Sequence, residues 1–204
     1  MREKSKLRES DEKTANQVAD FLDSTFYKDE ASNVERVDDV QRQVKGVDII
    51  FDYNGKTYYC DEKSTAQWRN IRTFTLELSF IDKQGHVKEG WLTSEKEINN
   101  SFMFVWLDND GVDIALVEKD KILKYLEDKG WTIPNLRYKS NQIREYYPDI
   151  EMGDIYKNGC RFTFSTQLVE KPINVMLSRG NFKKMAVFTK KYPTTMFYKE
   201  KTAG

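Results

Sequence analysis

Gly46-Val47-Asp48-Ile49-Ile50-Phe51-Asp52-Tyr53-Asn54-Gly55-Lys56-Thr57-Tyr58-Tyr59-Cys60-Asp61-Glu62-Lys63 reads as two β-strands joined by a hairpin turn. The first half alternates after its glycine, and Asn54-Gly55 is the dipeptide most favoured in two-residue turns. The second half then returns antiparallel. Side chains on a strand alternate faces, so Tyr59, Asp61 and Lys63 share one face and Tyr58, Cys60, Glu62 and Ser64 the other. Asp48, Ile50 and Asp52 share a face of the partner strand. With Asp48 and Asp61 pointing the same way, two carboxylates come one to two residues apart across the ladder. Hard oxygen ligands of that kind suit a divalent cation, and magnesium takes one or two carboxylates together with waters and substrate phosphate. Lys63 brings an ammonium to the same place. There it can orient or help deprotonate a water, or offset charge building up on a phosphate.

Working outward, Val18, Phe21, Leu22, Thr25 and Phe26 recur at helical spacing and predict an amphipathic helix over 14–27, with Asp11 or Thr14 as cap. Residues 1–13 are nearly all charged or polar and read as a flexible tail, and 28–45 as a loop or short helical link. Thr73–Ile81 predicts a third strand following the hairpin, and 93–100 a short helix. Ser101–Leu107 is an apolar run of the buried-strand type, followed by the turn Asp108-Asn109-Asp110-Gly111 and a strand over 112–117. Ile122, Leu123, Tyr125 and Leu126 form a helical stripe stopped by Gly130. Beyond Trp131 the pattern is less regular, with strands over 161–169 and 173–177 and a helix over 182–188. The expected fold class is α/β (α+β), with a core over 14–130 and a C-terminal extension over 131–204 that serves substrate or partner recognition.

Composition removes several chemistries. Among 204 residues, Lys+Arg and Asp+Glu each number 33, so a polycation that coats nucleic acid by net charge is disfavoured. Two cysteines, Cys60 and Cys160, make no disulfide framework, and with the single His86 they are too few and too scattered for a structural zinc site. His86 sits in a turn pattern, which argues against a histidine-based triad. No glycine-rich phosphate loop occurs. The longest apolar run, 102–107, is too short for a membrane span, and Met1–Lys6 leads into no apolar stretch, so a cytoplasmic protein without a membrane partner is expected.

An acid near the start of one strand, a hairpin, then Asp61-Glu62-Lys63 on the next strand resembles the signature of the PD-(D/E)XK nuclease superfamily. Val47 stands where that name has proline. The resemblance spans roughly 14–130 and implies a restriction-endonuclease-like core, a mixed central β-sheet flanked by helices. It implies magnesium-dependent phosphodiester hydrolysis, manganese substituting, with Asp48 and Asp61 as metal ligands and Lys63 acting on the attacking water. Glu77 on the third strand looks like an accessory acid, and Gln41, in the approach segment with Arg42, is similar to one found in some members. Glu62 permits a second register as the functional acid, but alternation with Lys63 favours Asp61.

Nucleic acid, DNA ahead of RNA, is the expected partner. Arg42, Trp68, Arg69 and Arg72 are candidate backbone and base contacts, and Lys183 and Lys184 open a lysine-rich C-terminal run. Plainer readings stand beside these. The charges on the hairpin could form an ordinary cross-strand cluster on a solvated face. Ile50 and Tyr59 weigh against that, because they make the acid-bearing face partly apolar. The competing function is a catalytically silent nuclease-like fold that binds nucleic acid or protein as an inhibitor or as a subunit of a larger assembly. A homodimer would suit a double-strand cutter, although no heptad or apolar stripe argues for one.

Overall fold

The computed structural model describes residues 2–37, 45–65, 69–148 and 151–198, with side chains from Lys13 onward. In chain order the elements are α1 (Arg2–Asp23), α2 (Phe26–Asp29), β1 (Ser32–Arg36), β2 (Ile49–Tyr53), β3 (Lys56–Ser64), β4 (Thr73–Ile81), β5 (Val87–Glu89), β6 (Ser101–Leu107) and β7 (Val112–Glu118). They continue with α3 (Lys119–Glu127), α4 (Ile133–Tyr146), β8 (Met152–Lys157), β9 (Cys160–Ser165), β10 (Ile173–Ser178), α5 (Arg179–Met185), β11 (Phe188–Tyr192) and α6 (Thr194–Phe197). The chain is α+β and divides into two compact units. One comprises 1–71, 98–118 and 186–204, the other 72–97 and 119–185, so both hold residues from either side of position 98.

The first unit is built on a six-stranded mixed sheet of order β1-β2-β3-β6-β7-β11, parallel only between β3 and β6. The hairpin forms as its dipeptide predicts. Asn54 and Gly55 both take positive φ, 49° and 75°, the pairing that matches the right-handed twist of the flanking strands. Val18, Phe21 and Leu22 of α1 and Phe26 and Tyr27 of α2 pack on the face carrying Ile49, Phe51, Tyr58 and Cys60. Phe51 and Tyr58 stack at 5.4 Å and Phe26 meets Phe51 edge-on at 5.6 Å, so aromatic contact fixes how the helices meet the sheet.

Several expectations are corrected here. Helix α1 begins at Arg2, where a flexible tail was expected: 2–13 is rich in good helix formers. It ends at Asp23 because the Ser24 and Thr25 hydroxyls both bond back to the Phe21 carbonyl, which separates α2 as its own short helix. Within 28–45, read as a linker, β1 forms the sheet edge; almost wholly exposed, it has no apolar alternation to betray it. No helix forms at 93–100. Strand β4 does not continue the hairpin sheet, because β3 takes β6 as its second neighbour.

The second unit carries a five-stranded antiparallel sheet of order β5-β4-β10-β9-β8. Its core gathers Leu76, Leu78, Phe162, Val175 and Ile143, with Trp131 edge-on to Phe162 at 4.8 Å. A second Asn-Gly pair, Asn158-Gly159, turns β8 into β9 with φ of 48° and 70°. Helix α4, unread in the sequence, is capped by Thr132, whose hydroxyl accepts from the Asn135 N–H. No helix among the described residues is long and apolar enough to cross a membrane.

A Cβ at Gly55 would meet nothing within 4 Å, so the cost of Gly55→Ala is purely conformational. Urea denaturation is expected to show a loss of about 1–2 kcal/mol for that substitution.

Candidate active site

The register Ile49↔Cys60, extended by one residue, sets Asp48 opposite Asp61. Two contacts hold it there. The Asp48 N–H donates to the Cys60 carbonyl at 2.9 Å, and the Asp48 carboxylate accepts from the Glu62 N–H at 2.8 Å. On the same face, the Lys63 ammonium lies 2.8 Å from the Asp61 carboxylate. The parallel pairing with β6 places Phe102 beside Asp61 and Phe104 beside Lys63. These rings are fully buried, and Asp61 is only 4% exposed. Burial therefore pushes the Asp61 carboxyl up to about 7, with Lys63 opposing the shift and the neighbouring Asp48 charge adding to it.

Glu62 points to the other face, as alternation requires. Its carboxylate takes a two-pronged contact from Arg36, at 3.1 and 3.2 Å, and Arg36 also bonds Asp23. The guanidinium lies 5.8 Å over the Tyr27 ring. Burial raises the Glu62 pKa and the Arg36 contact opposes that rise. The acid of the second register is thus committed to a structural pair, while Asp61 shares its face with Asp48 and Lys63. Arg36 went unnoticed in the sequence because its strand carries no pattern; only the fold brings it to Glu62.

The remaining candidates lie elsewhere in the chain. Glu77 is half-buried on β4 of the second sheet, opposite Asn174, and is not part of the hairpin's sheet. Arg69, in the first unit, lies 5.0 Å over the Tyr198 ring and donates to its hydroxyl. Arg72, Lys183 and Lys184 are exposed in the second unit, the lysines on α5. Gln41, Arg42 and Trp68 lie outside the described residues.

Among the described residues, no group of three or more His, Cys, Asp or Glu side chains is gathered as a metal cage. The Asp48–Asp61 pair nevertheless fits magnesium, which is satisfied by one or two carboxylates with water and phosphate completing the shell. A cation there would offset the burial and the Asp48 charge that together raise the Asp61 pKa. No family model matches the chain, and neither a curated protein nor a solved structure matches it.

Because folded Asp61 binds its proton up to about 7 and an unfolded aspartate only to about 4, the folded chain loses stability as pH rises between those values. In chelator, the melting temperature of the wild type is expected to fall relative to Asp61→Asn between about pH 4 and pH 7. Arg36→Met leaves Glu62 without its cation. Denaturation should show a cost of about 2–3 kcal/mol near neutral pH, shrinking in acid as Glu62 takes up a proton.

Proposed function

We propose that this chain is a magnesium-dependent nuclease, with DNA as the preferred substrate and a restriction-endonuclease-like arrangement in its first unit. The reading rests on the gathering of Asp48, Asp61 and Lys63 on one face of the β2–β3 hairpin, with the lysine 2.8 Å from Asp61. The mixed sheet and the preceding helix α1 support it. Asp48 and Asp61 would hold the metal, magnesium or manganese, which when bound supplies Lewis acidity toward the phosphate and lowers the pKa of a water.

The chain's own groups do the positioning. The Glu62 N–H fixes one Asp48 oxygen, and pairing of β3 with both β2 and β6 fixes the backbone of Asp61. Lys63 orients the attacking water and offsets the negative charge that develops on the phosphoryl oxygens. The water oxygen bonds to phosphorus in line with the departing oxygen. That P–O bond breaks, the water loses a proton and the leaving oxygen gains one. Phe102 and Phe104 keep the acid side of the site poor in water, which strengthens each charge interaction there.

A binding module without catalysis is the second reading. It is favoured by the zero net charge, which supplies no broad cationic field to capture substrate. Cleavage assays on plasmid, linear and single-stranded DNA and on RNA, with magnesium, manganese or chelator, separate the two. Metal-dependent cutting is expected, reduced about 100-fold or more by Lys63→Ala, Asp48→Asn or Asp61→Asn in variants that still melt cooperatively. The magnesium concentration required should rise below about pH 7, because proton and cation compete for Asp61. Undiminished cutting by a variant carrying all three substitutions would overturn the nuclease site. Absence of cutting on every substrate would favour the binding module.

A further inference from the structure

The second unit holds a cavity of about 170 Å³ whose lining includes none of Asp48, Asp61 and Lys63. Ile81, Ile143, Tyr147, Phe164 and Ile173 give it apolar walls, and Arg144 and Lys171 are among the residues that line it. Tyr147 and Phe164 stack at 5.3 Å, so the aromatic wall is continuous. Arg144 arises from helix α4 and is held wholly by neutral acceptors. Its Nε and one Nη reach the Ser79 hydroxyl at 3.2 and 2.8 Å, and the other Nη reaches the Lys171 carbonyl at 3.0 Å. Ser79 in turn lies 2.6 Å from the Ser140 hydroxyl, within the buried interior of this unit.

Two features mark this as a built arrangement. A guanidinium has five N–H bonds, and these contacts use three, leaving one on each Nη. Among the described residues no carboxylate forms an ion pair with Arg144; burial lowers its pKa, and Glu77 opposes that shift only at a distance. Lys171 adopts φ of 41°, the left-handed region that non-glycine residues reach at a cost of about 1–3 kcal/mol. The carbonyl of this same residue accepts from Arg144. A half-buried cation oriented by neutral groups, with N–H bonds to spare at an apolar cavity, calls for an anion carrying an apolar body.

We propose that this cavity is a binding site for a small apolar carboxylate, its carboxylate on Arg144 and its hydrocarbon part against Ile81, Phe164 and Ile173. The volume sets the size. A closed apolar cavity of about 150 Å³ accommodates benzene, so the ligand is an aryl or branched aliphatic acid on the scale of benzoate. Inorganic phosphate would leave the apolar walls unfilled.

Isothermal titration calorimetry of the whole chain with benzoate, isovalerate, benzamide and inorganic phosphate tests this. Benzoate should bind saturably at one site per chain, with isovalerate comparable and neutral benzamide at least about tenfold weaker. Arg144→Met should weaken benzoate about 10- to 100-fold, the loss of a charge-assisted hydrogen bond. Thr166→Trp narrows the cavity while leaving Arg144 and both serines in place, and should abolish the binding heat even if Arg144→Met does not fold. The assignment is overturned if benzamide binds as well as benzoate or phosphate alone binds. It is overturned equally if Thr166→Trp binds like the wild type, or if no saturable heat appears at millimolar benzoate. Cleavage activity is not among the readouts, so neither proposal's failure carries over to the other.

Discussion

The antiparallel register of β2 against β3, set by the positive-φ turn at Asn54-Gly55, is the constraint on which the first unit depends. Because side chains alternate strictly, a slip of one residue would exchange the two faces of β3. Cys60 and Tyr58 would leave the helix-packed core, and Asp61 and Lys63 would enter it. The same register sets Asp48 across from Asp61 and lets the Glu62 amide hold the Asp48 carboxylate. Core packing and candidate chemistry are therefore specified by one interaction.

Strand β3 carries an acid on each face, Asp61 buried and Glu62 half-buried, and the two have different partners. Glu62 is neutralised by a two-pronged guanidinium contact and so serves as a structural ion pair between β3 and β1. Asp61 meets the Lys63 ammonium at 2.8 Å and also faces a second carboxylate, and burial together with that carboxylate raises its pKa to about 7 against the opposing pull of Lys63. Stability alone would favour the first arrangement. The second stores an electrostatic deficit that a divalent cation would relieve, which is the physical reason for reading Asp48, Asp61 and Lys63 as chemistry. Arg144 in the second unit shows the complementary pattern, a cation held by neutral acceptors beside an apolar cavity.

Legibility in the sequence followed how local the determining physics was. The hairpin, the buried strand β6 and the stripe of α1 were readable because turn chemistry and periodicity act over a few residues. Edge strands β1 and β11 were not, since an edge exposed to water needs no apolar alternation. Helix α4 was obscured by its mixed aromatic and basic residues, although Thr132 and Pro134 mark its start. The trio Asp48, Asp61 and Lys63 lay within one hairpin and so could be grouped in advance. The Glu62–Arg36 pair and the Arg144–Ser79 contact join residues 26 and 65 positions apart, which no local pattern connects.

By itself, then, the sequence determined the hairpin, its register and the faces on which its charges lie, because backbone sterics at Asn54-Gly55 and the two-residue period of a strand leave little alternative. Only the tertiary structure decided which strand lies beside β3. That choice put Phe102 next to Asp61 and moved Glu77 to another sheet. It also decided that Glu62 meets Arg36 while Asp61 meets Lys63 with Asp48 beside it. Those outcomes depend on burial and on long-range pairing, since the energy of a charge is set by its neighbours in space.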